Sequence, residues 1–168
     1  MNYSGINLMP SPLQQTDDEA RKEAQQLMQS ARYAALSVLD EKNYPFVSRI
    51  AFGLTQRNTP ISLVSTLSHH TQHMLQNSQV SLLIGEPKPR GDPLTYPRLT
   101  LQGTAHFLQR NDPDFIDKRT EWLETHPKSR LYIDFTDFQF VQFSIFRAYL
   151  NGGFGKAYKL SAKDLKIY

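Results

Sequence analysis

Fifteen residues, from Ile61 to Leu75, carry the densest set of side chains able to do chemistry: ISLVSTLSHHTQHML. Ser65, Thr66, Ser68 and Thr71 supply four hydroxyls, and His69, His70 and His73 are three of the chain's five histidines. The stretch opens as an apolar run through Ile61, Leu63 and Val64, and its end is spaced for a helix reaching about Asn77. A strand that enters a helix through a hydroxyl-rich turn can hold a phosphate. The first backbone N–H groups of a helix have no intrahelical partner and carry the positive end of its dipole. Hydroxyls of Ser65, Ser68 or Thr71 and the imidazole of His70 would add donors. Two other readings compete: a solvated helix edge, and a metal site built on His69 and His73 at i, i+4. No carboxylate or cysteine lies nearby in sequence, and zinc usually takes three or four good ligands, so no metal is expected.

Elsewhere the chemistry is thin. The hydroxyls lack a paired histidine and carboxylate that would activate one of them. Asp17, Asp18, Glu19, Asp112 and Asp114 stand where helices start, so they are poor acid–base candidates. The glycine-rich NGGFG follows a strand but precedes no long helix, which excludes a phosphate loop or dinucleotide fingerprint. Catalytic residues are therefore unassigned, and chemistry would come from a cofactor. Arg49 is one further candidate. It lies mid-strand in YPFVSRIAF, on a face with Val47 and Ala51 and opposite Phe46, Ser48, Ile50 and Phe52. A solvated or salt-bridged arginine and an arginine aimed at an anionic ligand both fit that position.

The elements that must position these groups can be read along the chain. Residues 1–15, with Pro10 and Pro12, read as a loose lead-in. Thr16-Asp17-Asp18-Glu19 reads as a capping box for a helix with Ala20, Ala24, Leu27, Met28 and Ala31 on one stripe. Residues 34–40 and 44–52 read as a hairpin, and 80–86, nearly all apolar, as a buried strand. A proline-rich loop (87–97) leads to a long alternating strand (98–110). Its one face carries Leu99, Leu101, Gly103 and Ala105, and its other Arg98, Thr100, Gln102 and Thr104. Asp112-Pro113-Asp114 starts a helix lined by Phe115, Ile116, Arg119, Trp122 and Leu123 and ended by His126-Pro127. Trp122 reads as core. In the strand 135–150 the phenylalanines at 138, 140, 143 and 146 break parity, which predicts a bulge or burial of both faces. Gly152, Gly153 and Gly155 mark a tight loop around Phe154, and Ser161–Asp164 opens a short final helix.

Composition bounds the rest. The 168 residues are 39% hydrophobic and 11% aromatic, enough for a single domain with a core, and no repeats or second composition regime occur. A net charge of +3 without a dense basic block suits an anionic small ligand and gives no case for nucleic acid. There is no cysteine. No apolar run approaches the roughly 20 residues that span a bilayer, and MNYSGINLMP lacks the parts of a signal peptide. The expectation is a cytoplasmic protein that does not enter a membrane, of α+β class with a small barrel.

PFVSRIAF (45–52), STLSHHTQHM (65–74), GDPLTYPRLTLQGTA (91–105) and NGGFGKAYKLSAKDL (151–165) together resemble the FMN-binding split-barrel family, the pyridoxamine 5'-phosphate oxidase-like proteins, on the side of its haem-utilisation branch. The resemblance covers nearly all the chain after about residue 25. It implies a six-stranded antiparallel split β-barrel with flanking helices, forming a homodimer with cofactor sites at the subunit interface. It places Ser48, Arg49, Ile50 and Ala51 along the ring and ribityl parts of FMN. Ser65, Thr66, Ser68, His70 and Thr71 would lie at its phosphate, with Arg98 and Gln102 reaching a cofactor from either subunit. The Gly152–Gly155 loop would close the pocket.

The resemblance thus implies a flavin-dependent oxidoreductase of unknown substrate. The alternatives are a haem-binding or haem-degrading protein of haem iron utilisation, with haem as cofactor, and a flavin-binding module without turnover. Two departures bear on the choice. Pyridoxamine phosphate oxidases end in an arginine- and histidine-containing segment that grips the substrate phosphate, with no equivalent here, so vitamin B6 oxidation is not expected. Haem-degrading members bind iron through a histidine beyond the glycine loop, whereas the last histidine here is His126.

Overall fold

Alternating burial along the strands Tyr33–Leu39, Gln79–Ile84 and Arg98–Phe107, and near-continuous burial along Pro60–Ser65, build the framework that holds the Ile61–Leu75 stretch. The computed structural model describes residues 13–168, so most of the lead-in lies outside the described residues. In chain order the elements begin β1 (Leu13–Gln14), α1 (Asp18–Ser30), β2 (Tyr33–Leu39), β3 (Pro45–Ala51), β4 (Gly53–Leu54), β5 (Pro60–Ser65) and α2 (His69–Gln76). They continue β6 (Gln79–Ile84), β7 (Arg98–Phe107), α3 (Phe115–Thr125), β8 (Phe138–Asn151) and β9 (Ala157–Leu160). Two 3-10 turns, Pro93–Thr95 and Pro127–Leu131, precede β7 and follow α3.

Paired neighbours run β3–β2–β6–β7–β8–β5, antiparallel throughout. These are the six strands of a split barrel. β4 continues β3 and pairs with β5 at Gly53↔Ile61 and Leu54↔Pro60, and Ser62 Oγ donates to the Ala51 carbonyl at 2.7 Å. Past that point β3 and β5 run alongside each other with no ladder between them. The barrel is split there.

Inward positions fill one core: Leu36, Val38, Ile50, Phe52, Val64, Leu82, Leu99, Leu101 and Phe143 meet Ala24 and Met28 of α1. A second cluster joins Ile61, Leu63 and Phe140 to Phe115, Trp122 and Ile133, so α3 covers the β5–β8 side. Trp122 is core, as expected, and its indole N–H donates to Ser129 Oγ at 3.0 Å.

The long β7–β8 pair slips by one residue. Gln102 faces Arg147 while Gly103 faces Ile145, so Phe146 is extra and bulges outward. That is the expected bulge. Gly103 is required at it, since a Cβ there would lie 2.3 Å from the Ser144 carbonyl oxygen.

Several local expectations shift. Leu13–Gln14 is not loose but pairs in parallel with β9. Asp17, not Thr16, caps α1, accepting from Ala20 N–H at 2.8 Å, because the Thr16 hydroxyl donates to Lys159 O instead. Strand β6 alternates rather than being buried throughout, with Leu83 exposed between Leu82 and Ile84. Helix α3 starts at Phe115 with no side-chain cap, since Asp112 turns back to accept from Gln109 N–H, and Ile116 faces solvent. Ser161–Asp164 forms a turn and not a helix. There Asp164 accepts from Ser161 N–H and Oγ and from Arg21 of α1, which holds its carboxyl down at about 2. No helix among the described residues is long and apolar enough to cross a membrane.

His126 stacks on Trp122, with ring centroids 3.9 Å apart, and its Nε2 lies 3.3 Å from the Arg32 carbonyl oxygen. Burial pushes its pKa below the ordinary 6.5. The unfolded chain then takes up a proton before the folded one does, so this contribution is complete above 6.5 and declines as pH falls toward the lowered folded value. Urea unfolding from pH 8 to 5 should show that decline, and His126→Gln should flatten part of it. An unchanged slope in the variant would remove His126 from the account.

Candidate functional site: the β5–α2 turn and the open edge of β3

Ser65 ends β5 and shapes the turn into α2. Its hydroxyl donates to Asp137 Oδ2 at 2.6 Å and accepts from Leu67 N–H at 3.1 Å. Thr66 N–H donates to the Asp137 carbonyl, and Ser68 N–H to that of Ser65. The chain then enters α2, where Thr71 and Gln72 N–H both donate to Ser68 O. Among the described residues this leaves the N–H groups of His69 and His70 without a partner, and the Ser68 side chain makes no cap. The helix start therefore offers two free donors and the positive end of its dipole. Within the same first turn Thr71 is fully buried and its hydroxyl has no hydrogen-bond partner. His73 Nδ1 is a second buried polar atom without one.

Strand β3 approaches from the other side of the split. Ser48 Oγ and His70 Nδ1 lie 3.2 Å apart. Burial, with smaller contributions from the neighbouring His69 and His73, holds His70 below its ordinary pKa, so it is neutral near pH 7 and serves as a hydrogen-bonding group. The rings of His69 and His73 pack with Phe46 of β3, the latter at 5.3 Å edge-on. Apolar packing thus accounts for much of the histidine cluster. Among the described residues no three His, Asp or Glu side chains gather as a metal site. Ile50 is buried behind Ser48, and Ala51 accepts from Ser62. The free edge of β3 leaves backbone groups available between these two anchors.

The structure thus brings Ser48, Ser65, Thr66, Ser68, His70 and Thr71 to one place. Arg49 points to the outer face of the sheet, its guanidinium 5.1 Å from the centroid of the Tyr33 ring. Arg98 folds back on the carbonyls of Leu94 and Tyr96 and pins the preceding 3-10 turn. Gln102 meets Arg147 on that same outer face. Within one protomer these three do not join the turn. The glycine loop stands against Glu23 of α1 and Thr95, with Phe154 at its tip fully exposed.

Two residues of the site and its surroundings escape sequence reasoning. Asp137 is the carboxylate that the sequence does not place near the turn, and only the Ser65↔Phe138 register of β5 and β8 delivers it. Arg147 is hidden by the bulge that resets the parity of β8.

The profile of the family described as "CREG, beta-barrel" matches residues 15–166. The chain belongs to this family. The CREG β-barrel chain is 36% identical over 110 residues to the noncanonical heme oxygenase HOZ, chloroplastic, of Arabidopsis thaliana, covering 64% of this chain and 32% of that one. It therefore spans about a third of that relative's length. A heme binding protein from Mycobacterium smegmatis superposes with a TM-score of 0.80 at 23% identity, over 92% of this chain and 62% of the other. A Clostridium acetobutylicum protein related to general stress protein 26, of the pyridoxinephosphate oxidase family, gives a TM-score of 0.68 at 17% identity, over 89% and 99%. At those identities the two structures share the fold. The split-barrel fold holds for this CREG β-barrel chain, which shares it with the Mycobacterium and Clostridium structures.

Ser65→Ala removes both bonds of the hydroxyl and leaves Asp137 without that donor. Urea denaturation should register a loss of about 1–3 kcal/mol. A loss below a few tenths would mean that the turn is held by its backbone alone.

Proposed function

We propose that the Ser65–Thr71 turn holds the phosphate of FMN, in a homodimer whose protomers meet through the outer face of the sheet. One observation carries the proposal: two unpartnered N–H groups and the orphaned Thr71 hydroxyl stand in the first turn of α2. A phosphate would satisfy all three donors and gain from the helix dipole. Ser68 and the Ser48–His70 pair add donors beside it. Asp137 is a carboxylate next to the proposed anion site, and its Oδ2 is engaged by the Ser65 hydroxyl.

Ser48, Arg49, Ile50 and Ala51 would follow the flavin along the open edge of β3, where unpaired backbone groups can meet the polar rim of a ring. FMN, when bound, supplies electron or hydride exchange. The chain's own part is to grip the phosphate, orient the ring against β3 and shield one face of it.

Dimerisation is supported by the outer face of β3–β2–β6–β7–β8, which no helix among the described residues covers. Val47 is 63% exposed there and Phe146 60%, with Tyr33 and Leu83 between them. Arg49, Arg98 and Gln102 lie on the same face, from which they could reach a cofactor of the other protomer.

A second reading, haem binding or degradation, is favoured by the names of the Arabidopsis and Mycobacterium relatives. The exposed His69 imidazole at the turn could serve iron. A flavin-binding module without turnover remains the third.

The purified protein mixed with FMN should retain a flavin spectrum through gel filtration. A tight Soret band with haemin and no flavin uptake would overturn the FMN reading. Replacing His70 and Thr71 together by alanine should weaken FMN at least tenfold, since charge-assisted hydrogen bonds are worth roughly 1.5–3 kcal/mol. Val47→Glu should yield a monomer by light scattering. A dimer of unchanged affinity in that variant would move the interface elsewhere. Anaerobic bleaching of bound flavin by NADH or NADPH separates an oxidoreductase from a carrier.

A further inference from the structure

His70 is the second residue of α2 and ties the helix across the split to β3, through the 3.2 Å contact of its Nδ1 with Ser48 Oγ. Its Nε2 makes no hydrogen bond among the described residues, and its backbone N–H is one of the two left free at the helix start. Side chains on a helix tilt toward its N-terminus, so the ring leans to the same end as that N–H. A neutral imidazole has one donor and one acceptor, and the bond to Ser48 can then run either way. An imidazolium has two donors. Its Nδ1–H must donate to Ser48, its Nε2–H becomes a charged donor, and the Ser48 hydroxyl keeps its proton for another acceptor.

Charge decides between the two forms. Helix α2 packs chiefly on β2 and β3, whose ionisable residues are Tyr33 and Arg49, and these lie against each other on the outer face. On α2 itself stand His69 and His73, which repel a cation at His70 when protonated. Asp137, across the turn, is engaged by Ser65. Burial, the two neighbouring imidazoles and the positive helix end all favour the neutral ring, and no carboxylate offsets them. A phosphate at the helix start reverses that balance, because it brings up to two negative charges to the backbone N–H of the same residue.

We propose that ligand capture at this helix start is proton-linked: as the phosphate of FMN arrives, His70 takes up one proton from solvent, gains a charged donor for the phosphate at Nε2 and donates to Ser48 through Nδ1, which frees the Ser48 hydroxyl for the ligand along β3. The linkage presupposes that this turn holds the phosphate of FMN. It adds a dependence on pH and joins the phosphate end of the site to the ring end through one side chain. Binding raises the pKa of His70 from its lowered free value. The affinity gained in this way is complete below the free value and fades as pH rises through the bound one. The phosphate takes up a proton of its own at about pH 6, so His70 is read most cleanly between pH 7 and 8.

Calorimetry on the full chain, in two buffers of different ionisation enthalpy, counts the protons taken up. At pH 7 FMN should bring in roughly half a proton or more per site and riboflavin none. His70→Gln should abolish the uptake and His69→Gln should keep it. Affinity for FMN should fall several-fold from pH 7 to 8 in the parent and stay level in His70→Gln. Nitrogen–proton NMR of the imidazoles in the parent should show His70 passing from neutral to protonated with FMN and staying neutral with riboflavin. FMN bound without proton uptake, uptake that survives His70→Gln, or equal uptake with riboflavin would overturn the linkage and leave the phosphate site standing. Uptake lost in His69→Gln and kept in His70→Gln would give the proton to the wrong imidazole and overturn it as well. Failure of FMN to bind at any pH in this range would overturn the phosphate site itself, and the linkage with it.

Discussion

The two bonds of one hydroxyl govern this molecule's candidate site. Ser65 Oγ donates to Asp137 and accepts from Leu67 N–H, and so stops β5, fastens its end to the residue before β8 and starts the turn into α2. The backbone of Thr66 is taken by Asp137 and that of Ser68 by Ser65. At the helix start a pair of N–H groups is left with nothing to bind. Those N–H groups stand at an exposed helix start open to a ligand, whereas the orphaned Thr71 hydroxyl beneath it is buried and costly. An arrangement that satisfies the turn so fully and leaves only these donors suits an anionic ligand. It also sets the hydroxyls apart: Ser65 builds the turn, while those of Ser68 and Thr71 take no part in it.

The split in the barrel arises from the same neighbourhood. The Ser62–Ala51 bond and the β4–β5 pair draw β3 and β5 together at one end, and the Ser48–His70 contact spans the other. Between them β3 keeps an edge with no strand partner, which would be a liability on an open surface. Here it borders the donor-rich helix start. The proposed FMN would lay its ring along that edge with its phosphate at the turn.

Much of this was legible in the chain itself. Hydroxyl content and helical spacing located the turn, alternation in 98–107 separated a core face from a polar one, and broken parity among the phenylalanines announced the β8 bulge. The hidden part was long-range. Asp137 meets Ser65 only because β5 pairs with β8, and nothing within FTDF hints at it. Arg147 was unreadable because the bulge resets parity just before it. Thr16 and Asp164 misled for a related reason: each side chain bonds a distant element, and this removed a local cap in one case and a short helix in the other. Arg49, Arg98 and Gln102 were read as one polar group, and they do share the outer face. Within a protomer, though, one lies over Tyr33, one grips its own loop and one holds Arg147.

The central claim is that α2 begins as a phosphate site, and the backbone amides of His69 and His70 report on it directly. Nitrogen-15-labelled protein titrated with FMN and, separately, with riboflavin isolates the phosphate, since the two ligands differ only there. The account predicts large shifts of both amides with FMN and small ones with riboflavin. Equal shifts with the two ligands, or bound FMN that leaves both amides unmoved, would contradict it.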